Sequence, residues 1–281
     1  MSPPVSPALD LEAEYANRAR VPEHPAIFAA WKADAAAYRE AHHGEIGVAY
    51  GPGERQKMDL FGDHQGPLAL FIHGGYWQSF DRSDFSHLAA GLAARGVLVA
   101  IPGYDLCPQV SVGEIVRQMR LACATLWRRF GRPIAVSGHS AGGHLAACLL
   151  ATDWPAFAPD LPPSLVRSAM ALSGLFELEP LIHTNVNKAL GLDAAEAARQ
   201  SPALWPAPRG LTLDAVVGGA ESSEYLRQSR LITDTWGAAG VHTRFEAVPG
   251  ANHFTLVAPL ADPESAMTRR LASLAAAAGE S

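Results

Sequence analysis

Five residues, Gly138-His139-Ser140-Ala141-Gly142, set a serine between glycines directly after the apolar run Ile134-Ala135-Val136. They fit the pattern G-x-S-x-G, in which a hydroxyl sits on a tight turn from a strand into a helix. Such a turn pushes the serine backbone toward strained dihedrals, and a Cβ at Gly138 or Gly142 would crowd the neighbouring chain. The helix that follows aims its first N–H groups at the hydroxyl, where negative charge would develop in acyl transfer. A small-residue loop without chemistry has the same composition. The apolar run before it and the helical pattern after it favour a nucleophile at Ser140.

Acyl transfer also needs donors for an oxyanion. His73-Gly74-Gly75-Tyr76-Trp77 follows the apolar run Leu68–Ile72. Glycines at 74 and 75 allow main-chain N–H groups to approach a substrate oxygen closely. The expected donors are the N–H of Ala141 and those of the loop Gly74, Gly75 and Tyr76. Tyr76 and Trp77 are candidate pocket residues, with core packing an equal reading for Trp77. His73 reads as a brace for the loop rather than as a catalytic group.

A serine hydroxyl needs a base. Of eleven histidines, His253 in Pro249-Gly250-Ala251-Asn252-His253-Phe254 follows the last strand-like run. Loops after strands face the crevice of a parallel sheet and carry its chemistry. His242 lies at the opposite end of that run. His139 and His144 flank the serine and read as structural. His24, His42, His43, His64, His87 and His183 have no local context beyond surface or capping positions. The orienting carboxylate belongs between serine and histidine in chain order. Glu221, after Val217-Gly218-Gly219, is the choice; Glu224 reads as an ordinary first-turn helix carboxylate and Asp214 as a residue inside a strand.

These groups require a scaffold that brings strand ends together. Strand-like runs fall at 47–50, 57–61, 68–73, 97–101, 133–137, 168–173, 213–217 and 243–248. Helical patterns fall at 85–95, 112–130, 142–152, 194–200, 224–239 and 263–278. Apolar strands alternating with helices predict an α/β fold: a mostly parallel sheet of about eight strands, covered on both faces. The first two runs, joined by Gly51-Pro52-Gly53, suit an antiparallel hairpin. Residues 10–45 form a helical segment, broken near Pro22 and Pro25, that could cover the site. Residues 1–9 are expected to be disordered and 10–281 to form one domain.

With 281 residues, 48% of them hydrophobic, and a net charge of −6, the chain suits one large domain. The absence of a basic stripe argues against nucleic acid and anionic membranes as partners. Cys107, Cys123 and Cys148 are too few and too dispersed for a disulfide framework or a thiolate metal site. No apolar run is long enough to span a bilayer, and no signal pattern precedes the domain. A cytoplasmic setting, no metal or other cofactor, and a small-molecule substrate are the expectation, with a homodimer left open.

Several stretches in order resemble the α/β-hydrolase-type kynurenine formamidases, or arylformamidases. They are LEAEYANRARVP, VAYGPGERQKMDLF, FIHGGYWQSF, SGHSAGGHLAA, SGLFELEPL, RQSP, GGAESSEYLRQS and GANHF. The resemblance implies an α/β-hydrolase fold and deformylation of N-formylkynurenine, with Ser140 as nucleophile, His253 as base and Glu221 as acid. Family members carry aspartate where this chain has Glu221, a departure of one methylene. Two other functions fit the same residues. One is a carboxylesterase for small acyl or aryl esters, and the other a non-catalytic binding protein on a hydrolase scaffold.

Overall fold

A computed structural model describes residues 9–279. The expectation of disorder over residues 1–9 therefore falls almost wholly outside the described residues. Eight strands form one sheet: β1 (Gly44–Ala49), β2 (Lys57–Phe61), β3 (Leu68–Ile72), β4 (Leu98–Pro102), β5 (Ile134–His139), β6 (Val166–Leu172), β7 (Thr212–Gly218) and β8 (His242–Val248). Their order is β1-β2-β4-β3-β5-β6-β7-β8. β2 runs antiparallel to both β1 and β4, and every other pairing is parallel. The hairpin expected around Gly51-Pro52-Gly53 joins β1 to β2.

The helices are α1 (Leu11–Tyr15), α2 (Asn17–Arg20), α3 (His24–Ala41), α4 (Ala90–Ala93), α5 (Val112–Phe130), α6 (Ala141–Leu150), α7 (Trp154–Phe157), α8 (Asn187–Leu190), α9 (Ala194–Arg199), α10 (Ser223–Ala238) and α11 (Ala266–Gly279). Local chemistry sets several of these ends. Ser111 accepts a hydrogen bond from the Glu114 N–H at 3.1 Å to start α5, and Gly131 ends it in the left-handed region at φ 63°. Pro25 sits in the first turn of α3, where a missing N–H costs nothing.

The pleat sorts the buried side chains between the two faces. Leu68, Leu70 and Ile72 of β3 join one core cluster, and Ala69 and Phe71 join the other. Every residue of β3, β4 and β5 is buried, as expected for central strands with both faces covered. Each large apolar side chain so removed from water contributes roughly 1.5–3 kcal/mol. α6 is buried along its whole length, which explains why it reads as an apolar run without a polar face.

Two sequence expectations shift. The helix expected over 85–95 is divided into a 3-10 turn at Ser86–Ala89 and the single-turn α4. Close packing accounts for this: a Cβ on Gly91 would stand 2.4 Å from the Leu260 carbonyl oxygen, so this segment lies flat against Thr255–Ala261. The last helix begins at Ala266 rather than 263, after a turn closed by the Ser265 N–H on the Asp262 carbonyl.

For function, the strand ends matter most. The registers Ile72↔Gly138 and Gly218↔Val248 bring the carboxyl ends of β3 and β5, and of β7 and β8, level with one another. The loops that follow therefore open on the same edge of the sheet.

Candidate active site

Ser140 stands between β5 and α6 with φ 58° and ψ −118°, a backbone region that side chains rarely occupy. Packing imposes it. A Cβ on Gly138 would meet the Gly142 carbonyl oxygen at 2.2 Å, and one on Gly142 would meet the Ile72 carbonyl oxygen at 2.0 Å. The Ser140 N–H is tied to the Leu172 carbonyl at 2.8 Å, and its own carbonyl accepts from the N–H groups of Gly143 and His144. The turn is thus fastened to β6 on one side and to its own helix on the other. Ahead of these two bonds, the N–H groups of Ala141 and Gly142 at the head of α6 have no acceptor within the helix.

The imidazole and its carboxylate come from the loops after β8 and β7. His253 Nδ1 donates to Glu221 Oε2 at 2.6 Å, with both side chains almost wholly buried. In a neutral imidazole this bond assigns the proton to Nδ1 and leaves Nε2 as the acceptor. Glu221 is fixed in turn through Oε1, which accepts from the Gly218 N–H at 2.7 Å and from the Ser173 hydroxyl. Ser173 itself lies at φ 49°, at the end of β6. Ser140 and His253 share the wall of one cavity of about 430 Å³.

Above the serine, the loop after β3 is unusually contorted. Gly75, Tyr76, Trp77 and Phe80 all have positive φ, at 108°, 50°, 56° and 72°. Gly74 lies so close that a Cβ there would be 2.9 Å from that of Ser140. His73 carries out the bracing that its position suggests. Its ring stacks against Tyr104 at 4.3 Å and Phe85 at 5.6 Å, and its Nδ1 donates to the Gly74 carbonyl at 2.8 Å. Burial pushes its pKa down to about 4, so it stays neutral.

Gly74, Gly75, Tyr76, Ser140 and His253 all line the cavity, but Trp77 does not. Its indole is fully buried and meets His144 edge-to-face at 5.0 Å. The pocket role is therefore corrected to core packing: the positive φ at Trp77 turns the side chain away from the opening. Ala141 is buried at the start of α6. His144 is structural, with Nε2 donating to the Gln200 carbonyl at 2.7 Å and burial lowering its pKa to about 4. His139 is closer to the chemistry than its structural reading implies. It lines the cavity, its ring lies 4.7 Å from that of His253, and its Nε2 donates to the His253 carbonyl at 2.7 Å. Burial first, and then the neighbouring imidazole, hold it well below the usual histidine range. It anchors the His253 loop.

Several cavity residues escaped the sequence reading. The helical segment α1–α3 supplies Tyr15, Asn17, Phe28 and Trp31 to the wall. Phe28 and Trp31 are one helical turn apart, a spacing that was there to be read. Tyr225, fully buried, has no such signal. Its hydroxyl accepts from Asn17 Nδ2 at 2.8 Å and bonds that of Tyr76 at 2.8 Å, while its ring lies 4.6 Å from His253. The Tyr76 hydroxyl donates to the Tyr15 carbonyl at 2.7 Å, so the loop after β3, α1 and α10 are sewn together beside the serine. No group of three metal-ligating side chains occurs among the described residues, and no described helix is long and apolar enough to cross a membrane.

The fold, with Ser140 on the turn between β5 and α6, defines an α/β-hydrolase. A family model for the alpha/beta hydrolase fold matches residues 69–257. The chain is 31% identical over 241 residues to a kynurenine formamidase of Salmo salar, covering 80% of each chain. It is 30% identical over 235 residues to that of Danio rerio, covering 80% of this chain and 79% of the other. Among solved structures, a protein of Silicibacter sp. assigned provisionally as a thioesterase superposes with a TM-score of 0.81 at 33% identity, covering 98% of this chain and all of that one. The chain belongs to the α/β-hydrolases, in the kynurenine formamidase family.

Proposed function

We propose that this protein cleaves an N-formyl arylamide, N-formylkynurenine being the substrate its relatives' name points to, through a formyl-serine intermediate. Ser140 Oγ attacks the formyl carbon as its proton passes to His253 Nε2. The developing oxyanion accepts from the N–H of Ala141 and from the Gly75 and Tyr76 end of the preceding loop, each such donor contributing roughly 3–4 kcal/mol. His253 then gives its proton to the leaving arylamine nitrogen as the C–N bond breaks. Water, deprotonated by the same imidazole, attacks the formyl ester and releases formate, restoring the serine. Glu221 stabilises the imidazolium and holds its tautomer without taking the proton.

The observation that carries this reading is the chain of contacts from Gly218 and Ser173 through Glu221 to His253, in the cavity that Ser140 lines. Aromatic walls suit an aryl leaving group. Formate release from N-formylkynurenine tests the substrate. The result supporting it is a kcat/KM well above that for short p-nitrophenyl esters, abolished by Ser140→Ala, which is expected to cost roughly 10⁶-fold in kcat.

A second reading, cleavage of a small ester or thioester, is favoured by the provisional assignment of the 33% identical structure. It replaces the first if esters are turned over with the larger kcat/KM. A non-catalytic binding role predicts that an organophosphate leaves Ser140 unlabelled in the folded protein.

A further inference from the structure

The cavity over Ser140 has one permanently charged side chain in its described lining, and that side chain is a cation. Arg18, on α2, lines the same wall as Tyr15, Phe28 and Ser140, and no aspartate or glutamate lines it. In a chain of net charge −6, a cation there runs against the bulk charge. Arg20, two residues on, is engaged by Glu14 at 3.8 Å. Arg18 instead lies with its guanidinium 5.7 Å from the ring centroid of Phe28, and among the described residues it has no carboxylate partner. Phe28 meets Phe254 edge-to-face at 4.9 Å, and Phe254 adjoins the His253 ring at 5.3 Å. Two aromatic rings therefore separate the guanidinium from the imidazole. A flat substrate lying along these rings with its acyl group at Ser140 points its far end at Arg18.

We propose that Arg18 is a specificity-determining residue, selecting aryl substrates that carry a carboxylate at the end opposite the scissile acyl group. The inference rests on the acyl-transfer reading of Ser140. The planar guanidinium fork matches a carboxylate through two parallel hydrogen bonds. The Phe28 face shields one side of the pair from water and adds cation–π attraction for the guanidinium. Arg18 is solvent-exposed, so the discrimination is moderate and sensitive to salt.

The test uses an N-formyl aniline bearing a short propanoate chain and the primary amide of the same compound, which has the same shape without the charge. Wild-type protein is expected to prefer the acid. Arg18→Met, which keeps the aliphatic stem, is expected to lower the acid-to-amide ratio of kcat/KM by about five- to tenfold, with the loss in KM rather than kcat. Arg18→Lys is expected to retain part of the preference, and raised salt to erode it in the wild type but not in Arg18→Met. A ratio that Arg18→Met leaves unchanged overturns the proposal. So does an equal loss on acid and amide, which marks a merely structural role. Binding of the two compounds to Ser140→Ala and to Ser140→Ala/Arg18→Met, measured by calorimetry, reads the same ratio without turnover. If wild-type protein cleaves neither compound, the acyl-transfer reading fails while this binding ratio still decides the role of Arg18.

Discussion

Glu221 and Glu224 lie three residues apart at one strand–helix junction, and both carboxylates are almost wholly buried. Their partners differ in kind. Glu221 ends on a titratable imidazole, with two neutral donors from Gly218 and Ser173 behind it. Glu224 ends on a permanent cation: Arg227 reaches Oε1 at 2.6 Å and Oε2 at 2.9 Å, and the Tyr15 hydroxyl donates at 2.6 Å. One carboxylate faces an imidazole and no fixed charge, and the other is already neutralised by a guanidinium. Burial alone does not distinguish the two carboxylates; the fixed charge of the partner does, and in the proposed mechanism Glu221 is the acid that orients the imidazole. Glu224 also couples the N-terminal segment to the site, since Tyr15 lines the cavity and Glu14 accepts from the Glu224 N–H at 2.9 Å.

The largest test of this contrast is Glu221→Gln. The new amide can still accept from Gly218 but presents an NH2 group to His253 Nδ1, forcing the wrong tautomer. A loss of roughly 10⁴-fold in kcat is expected in steady-state assays, with the fold retained. Glu221→Asp comes next. Aspartate is one methylene shorter and is expected not to hold Gly218, Ser173 and His253 together on the same backbone. A misplaced imidazole is expected to cost about 10²-fold. Ser173→Ala removes one donor to the carboxylate and is expected to lower kcat about tenfold, with KM little changed.

Smallest in activity is Glu224→Gln, expected to lose less than about tenfold in kcat/KM, while thermal or urea unfolding shows a loss of about 1 kcal/mol. The acid limb sharpens the difference. Burial raises the Glu224 carboxyl, but the Arg227 and Tyr15 hydrogen bonds outweigh it and hold the pKa below its ordinary value. A depressed folded-state pKa adds stability above the unfolded value of about 4.3, and that stability is lost as pH falls through the folded value. Unfolding measured across this range is expected to show that increment in the wild type and not in Glu224→Gln. An identical acid limb in both proteins contradicts the ion-pair account.

Most of the sheet was legible because its central strands β3, β4 and β5 are short apolar runs bounded by glycine, proline or polar residues, and parallel order follows from the helices between strands; the edge strands β1 and β8 carry charged residues and are weaker signals. Ser140, His253 and Glu221 were legible as loops after strands, the location where a parallel sheet converges its ends. Tyr225 and Ser173 were not. Their positions depend on a helix docking and on a positive φ, and neither leaves a mark in residue type. Trp77 was ambiguous because its direction depends on the backbone of a loop whose φ values are positive at four residues. The division of the 85–95 helix was hidden for a related reason: the constraint comes from Leu260, remote in sequence.

The most direct measurement is labelling by a fluorophosphonate, with the modified residue located by peptide mass spectrometry in wild type, Glu221→Gln and Glu224→Gln. A single adduct on Ser140 is expected, formed far more slowly in Glu221→Gln and at near wild-type rate in Glu224→Gln. An adduct on another residue, or rapid labelling of Glu221→Gln beside an inert Glu224→Gln, contradicts the proposed mechanism.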